Sequence, residues 1–172
     1  MKKIISLLLC AVCLLGLAAC GAKDTPVEIT ETEGSAEVGM ANPFVDCESM
    51  EDAASLTGFD FLVPETLDGY PTRTIQVMNN SLIQVTYTSD DGDKIILRKA
   101  PGLDDISGDY NVYADEKIAV CRDDLDVILR GDEALFSVAV WNSGDFSYAL
   151  LSDLPMDENA MIGLIADLDL AD

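Results

Sequence analysis

Two kinds of residue in this chain could do chemistry: carboxylates, which are plentiful, and thiols, which are few. The sequence holds 32 Asp and Glu, 5 Cys and no His. Without an imidazole there is no Ser-His-Asp or Cys-His catalytic set, no His-ligated zinc and no neutral-pH proton shuttle. Paired carboxylates could still act on a sugar, but among so many acids some pair always exists, so that pattern has no specificity. No phosphate-cradling glycine loop and no nucleophile elbow is present. The chain is therefore expected to be no enzyme, with no catalytic residue, no cofactor and no dedicated metal site. The most informative acids lie between Pro101 and Glu116, a connection of about 16 residues, long for a compact domain. It contains Asp104, Asp105, Asp109, Tyr110 and Tyr113. Tyrosines supply rigid contact area and acids supply polarity, so these five residues form a candidate binding loop. Their oxygens could also take calcium, although the spacing is not that of an EF-hand. The alternative is a self-packed loop, with its tyrosines over the sheet and its Asp and Ser side chains capping turns.

The thiols divide by position. Met1-Lys2-Lys3 precedes an apolar run from Ile4 to Ala19. A positive start, a short apolar segment and small residues before a cut make a secretory signal. The run is too short for a stable transmembrane helix, which needs about 20 apolar residues. Leu17-Ala18-Ala19 before Cys20-Gly21 resembles the lipobox of bacterial lipoproteins. That resemblance implies cleavage before Cys20 and a diacylglycerol on its sulfur, and two acyl chains are enough for stable anchoring. Cys10 and Cys13 would leave with the signal. Cys47 and Cys121 remain, and an extracytoplasmic compartment permits a disulfide between them. Such a bridge would close a loop of about 75 residues, worth roughly 4 kcal/mol in the chain-entropy model; two separate thiols are the alternative.

The formal net charge is −22, and loss of Lys2 and Lys3 makes the mature chain more acidic still. Nucleic acid is excluded as a partner, because phosphate contacts need Lys and Arg clusters. Anionic headgroups should repel the chain, so the lipid must hold it at the membrane. Solubility accounts for the acidity without a partner; a cationic partner or divalent cations are the sharper readings.

The elements that would position these groups follow from pattern. Residues 20–41 are polar and acidic with isolated apolar residues, which reads as a disordered tether of roughly 25 Å reach. Ser49 and Asp52 resemble a capping box for a helix over Met50–Leu56, with Gly58 closing it. Strands are expected over Phe59–Val63, Thr72–Met78, Leu82–Thr88, Lys94–Ala100, Lys117–Arg122, Asp126–Arg130, Leu135–Trp141 and Phe146–Leu151, separated by turn residues such as Asn79-Asn80, Gly131-Asp132 and Asn142-Ser143-Gly144-Asp145. Alternation puts Trp141 and Ala139 on one face and Phe136, Val138 and Val140 on the other, with core packing favoured over a ligand platform for Trp141. A final helix is expected over Met156–Leu168, with Pro155 in its first turn.

Short connections imply an antiparallel meander of about six to eight strands, with one face covered by the two helices. The fold class is α+β, with residues 1–19 as signal, 20–41 as lipidated Cys20 and tether, and 42–172 as one domain, its sheet curled around the final helix.

Asn42-Pro43-Phe44, Val63-Pro64, Arg98-Lys99-Ala100, Asp105-Ile106-Ser107-Gly108-Asp109-Tyr110-Asn111 and Ala139-x-Trp141 resemble a group of uncharacterised lipoproteins of anaerobic gut Firmicutes that carry a C-terminal domain of unknown function. The resemblance implies the lipid anchor, the α+β domain and a single-membrane cell; it supplies no catalytic residue. The expected function is a monomeric, membrane-anchored extracytoplasmic module that binds an unknown protein or envelope ligand. The alternatives are an envelope chaperone or sensor that holds an apolar ligand between sheet and helix, and a calcium-dependent binding module.

Overall fold

Alternating segments joined by short turns pair with their sequence neighbours, and the computed structural model describes the result for residues 42–168. The expected signal over 1–19, Cys20 and the tether over 20–41 lie outside the described residues. In chain order the elements are β1 (Phe44–Cys47), α1 (Met50–Thr57), β2 (Thr72–Met78), β3 (Leu82–Thr88), β4 (Lys94–Pro101), β5 (Asp115–Val120), a 3₁₀ turn (Arg122–Asp124), β6 (Asp126–Asp132), β7 (Leu135–Ser143), β8 (Phe146–Met156) and α2 (Glu158–Ala166).

The strands form one open antiparallel sheet of eight, ordered β1-β2-β3-β4-β8-β7-β6-β5. This is two four-stranded meanders rather than one. The join is made where β8 pairs with β4, so the β4–β5 connection must travel from the middle of the sheet to its far edge. That journey explains the length of the loop after Pro101.

Local chemistry sets the helix ends. Ser49 caps α1 by accepting from the Asp52 amide at 3.1 Å, and Gly58 stops it in a left-handed conformation, φ 83°. Asp157 caps α2 by accepting from the Ala160 amide at 2.9 Å. Main-chain and side-chain capping of this kind replaces the partners that a helix terminus lacks. Ala53 of α1, and Met161, Ile165 and Leu168 at α2, are buried with Val77, Ile83, Val85, Leu97, Leu129 and Leu150 of the sheet. One face of the sheet, here the inner face, therefore carries the main core.

Four expectations need correction. Phe59–Val63 is not a strand; it is an irregular segment whose Phe59 and Phe61 rings pack on Phe146 and Tyr148 of β8. Burial of two large rings on an existing sheet outweighs strand propensity there. The final helix begins at Glu158, because β8 continues through Pro155 to Met156. The β6–β7 turn is Glu133-Ala134, both at positive φ of 54° and 61°, and not Gly131-Asp132. Phe136 joins Ala139 and Trp141 in the main core, because β7 carries one extra residue against β6, where Arg130 faces Val138 and its neighbour Gly131 faces Phe136. One extra residue in a strand exchanges the faces of everything beyond it.

Candidate functional site

The outer face of the sheet changes character along a single cross-strand row. In register, this row runs Asp46, Gln76, Gln84, Arg98, Ala149, Val140, Ile128, Ile118 from β1 to β5. Its first half is a hydrogen-bonded polar ladder. Gln76 Nε2 donates to Asp46 Oδ1 at 2.8 Å, Gln84 Nε2 to Gln76 Oε1 at 3.2 Å, and Arg98 Nε to Gln84 Oε1 at 2.9 Å. Its second half is aliphatic.

The long loop crosses the middle of this face and is bolted down at several points. Arg98 Nη1 donates to the carbonyls of Ile106, at 3.2 Å, and of Ser107. Burial lowers the Arg98 pKa, and the two carbonyls and the Gln84 amide oxygen accept its hydrogen bonds. Gly108 passes so close that a Cβ there would lie 2.7 Å from Arg98 Nη1. Arg130 Nη1 donates to Asp105 Oδ2 at 2.6 Å, while its Nε donates to Glu116 Oε2 at 3.0 Å. Burial alone would raise the Asp105 pKa, but hydrogen bonds from Ser107 and Arg130 outweigh it and hold the carboxyl below its ordinary value. Asp109 Oδ1 accepts from the Asn111 amide at 2.8 Å, and its Oδ2 accepts from the Tyr113 hydroxyl. Burial, then the bond to Asp109, raises the Tyr113 pKa. Ile106 and Tyr113 pack on Val138, Val140 and Ala149.

The five loop candidates thus part company. Asp105, Asp109 and Tyr113 are committed to holding the loop together. Asp104 is exposed and Tyr110 is 94% exposed. Among the described residues no group of three or more His, Cys, Asp or Glu is placed to hold a metal ion, which gives the calcium variant no ligand set there. Cys47 and Cys121 are free thiols; Cys47 lies on edge strand β1 and Cys121 follows the opposite edge, β5. Burial and the neighbouring Asp52 and Asp46 raise the Cys47 pKa.

Where the loop leaves the outer face uncovered there is a groove of about 630 Å³. Ile118, Ile128 and Val140 line its apolar part. Leu103 and Asp104 of the loop line it, as do Asp124 and Asp126 around the 3₁₀ turn. Ile118 is 65% exposed, Val120 62% and Leu103 69%. Sequence reasoning did not single out Ile118, Val120 or Ile128. Their alternation was visible, but only the strand order shows that β5 is an edge, with its outer face uncovered.

Two further features lie on the inner face. Trp141 stacks on Tyr148 at 5.4 Å, within the core. Lys99 is buried, with its ammonium 4.2 Å from the Phe146 ring centroid and 5.4 Å from that of Tyr148, an arrangement that offsets part of its desolvation. Side chains of both helices and of the sheet meet in one buried cluster.

A family model described as Domain of unknown function (DUF4367) matches residues 61–163. No curated protein and no solved structure matches the chain.

Proposed function

Since the chain belongs to the family described as Domain of unknown function (DUF4367), which supplies no reaction, we propose that it is a non-catalytic binding module, monomeric and held by a diacylglycerol on Cys20 at the outer face of a cell membrane. The anchor and the compartment rest on the lipobox-like Leu17-Ala18-Ala19-Cys20 after an apolar run. The binding role rests on one observation: the groove beside the tied-down loop leaves Leu103 and Ile118 in solvent. Grooves of a few hundred Å³ with an apolar lining and a polar rim are where proteins take ligands, and exposed apolar patches on a monomer mark contact surfaces. The loop acts as a rigid wall of the site. It does not itself close on a ligand.

The test has two arms, both in cells. Cys20→Ala should release the chain from the membrane fraction. A photo-crosslinking amino acid at Leu103 should give a discrete adduct that the same group at Leu154, an exposed residue of β8, does not. A Cys20→Ala chain that still sediments with membranes would end the anchor. Equal or absent adducts at the two positions would end the groove as the binding site.

A further inference from the structure

We propose that the groove takes a short basic and apolar segment of a partner protein, with aliphatic side chains on Leu103, Ile118 and Ile128 and lysine or arginine at the acidic rim. This rests on the reading of the groove as the binding site and adds the chemistry of its occupant.

Charge selects the occupant. Asp104, Asp124 and Asp126 stand exposed around the groove, and among the described residues none of them is in an ion pair. The one cation of the lining, Arg130, is already shared by Asp105 and Glu116. A second copy of the chain would bring a formal charge of −22 to this rim, and like charges in contact cost several kcal/mol. The chain's own segment 20–41 carries Asp24, Glu28, Glu31, Glu33 and Glu37 and is repelled in the same way. A polyamine would satisfy the rim but leave the aliphatic floor wet. A segment that combines basic and aliphatic side chains satisfies both, with apolar burial supplying affinity and charge supplying selection.

The full chain, lipidated and held in detergent, is titrated into a fluorescein-labelled octapeptide of alternating lysine and leucine, read by anisotropy. Alternating glutamate–leucine and lysine–serine octapeptides serve as comparisons. The lysine–leucine peptide should bind, and each comparison should bind at least about tenfold more weakly. Asp104→Asn with Asp124→Asn should weaken binding about tenfold, and Leu103→Ser with Ile118→Ser by a similar factor. Asp90→Asn with Asp91→Asn removes the same charge at the β3–β4 turn and should leave affinity within about twofold. All these positions are exposed, and melting curves confirm that each variant is folded.

No binding overturns the inference. So does equal weakening by the remote Asp90 and Asp91 pair, which would show diffuse attraction. Sedimentation of a dimer dissolved by the Leu103 and Ile118 variant would put a second copy in the groove, with the same effect. If the peptide fails while the Leu103 crosslink gives its discrete adduct, the binding site stands and only the basic class of partner falls.

Discussion

At the scale of single residues, the same residue types in one loop do opposite jobs, and hydrogen bonding decides which. Tyr113 gives its hydroxyl to Asp109 and its ring to the outer face, whereas Tyr110 and Val112 face solvent at 94% and 97% exposure. Arg98 is the residue on which the loop depends most. Its guanidinium serves Gln84, Ile106 and Ser107, and removing a charged donor leaves half-buried acceptors unpaired, at about 1 to 3 kcal/mol. Arg98→Ala is expected to lower stability by about 2 to 3 kcal/mol, whereas Tyr110→Ala should stay within about 0.5 kcal/mol. Urea unfolding of the two variants checks this. Equal effects would mean that the loop is not held through Arg98.

Among the elements, the β6–β7 hairpin is built against its own sequence. A two-residue turn between right-twisted strands wants positive φ at both positions, which Asn-Gly provides. Here Glu133 and Ala134 adopt it, at φ 54° and 61°, each against a steric cost of roughly 1 to 2 kcal/mol. The nearby Gly131 explains part of the arrangement. It sits at the register shift, and a Cβ there would come within 1.9 Å of the Leu135 carbonyl oxygen. Only glycine permits the strands to close so tightly, and the turn is displaced beyond it. The Ala134 amide also donates to Asp115 Oδ2 at 3.0 Å, which ties the turn to β5. Replacing Glu133 by Asn together with Ala134 by Gly should stabilise the protein by about 1 to 2 kcal/mol, seen as a higher melting temperature. No gain would mean that the tie to Asp115 had already relieved the strain.

For the whole molecule, the folded unit is larger than the segment that defines its family. The family match spans residues 61–163, yet Ala53, Ile165 and Leu168 are all buried in the main core and β1 covers the edge of β2. A chain cut to residues 61–163 loses these apolar contacts and makes the longer β2 an uncovered edge in place of β1. Removal of even one buried Ile or Leu side chain costs about 2 to 5 kcal/mol, a large share of the stability of a small domain. The shortened chain should therefore lose its cooperative thermal transition, while residues 42–172 keep it. A cooperative transition in the shorter chain, by circular dichroism or calorimetry, would show that the core of β2 to β8 suffices.

How much of this was legible beforehand depends on range along the chain. The α+β class, the β2 and β3 boundaries, the Asn79-Asn80 turn and the α1 caps follow from signals a few residues long, and they stand in the structure as read from the sequence. The five loop residues could be picked out by type and position, but not sorted, because the bonds that divide Asp105, Asp109 and Tyr113 from Asp104 and Tyr110 involve Arg130 from a distant strand and the local fold of the loop. Phe136 was assigned to the wrong face because a bulge leaves no local mark. Ile118, Ile128 and Val140 are unreadable as a site because alternation gives every strand two faces and names neither. Long-range pairing alone placed β8 beside β4, sent β5 to the edge and stretched the loop across the outer face. Period and turn chemistry are properties of neighbours in sequence; which strand lies at an edge is a property of partners far apart in it, and the groove exists only because of that order.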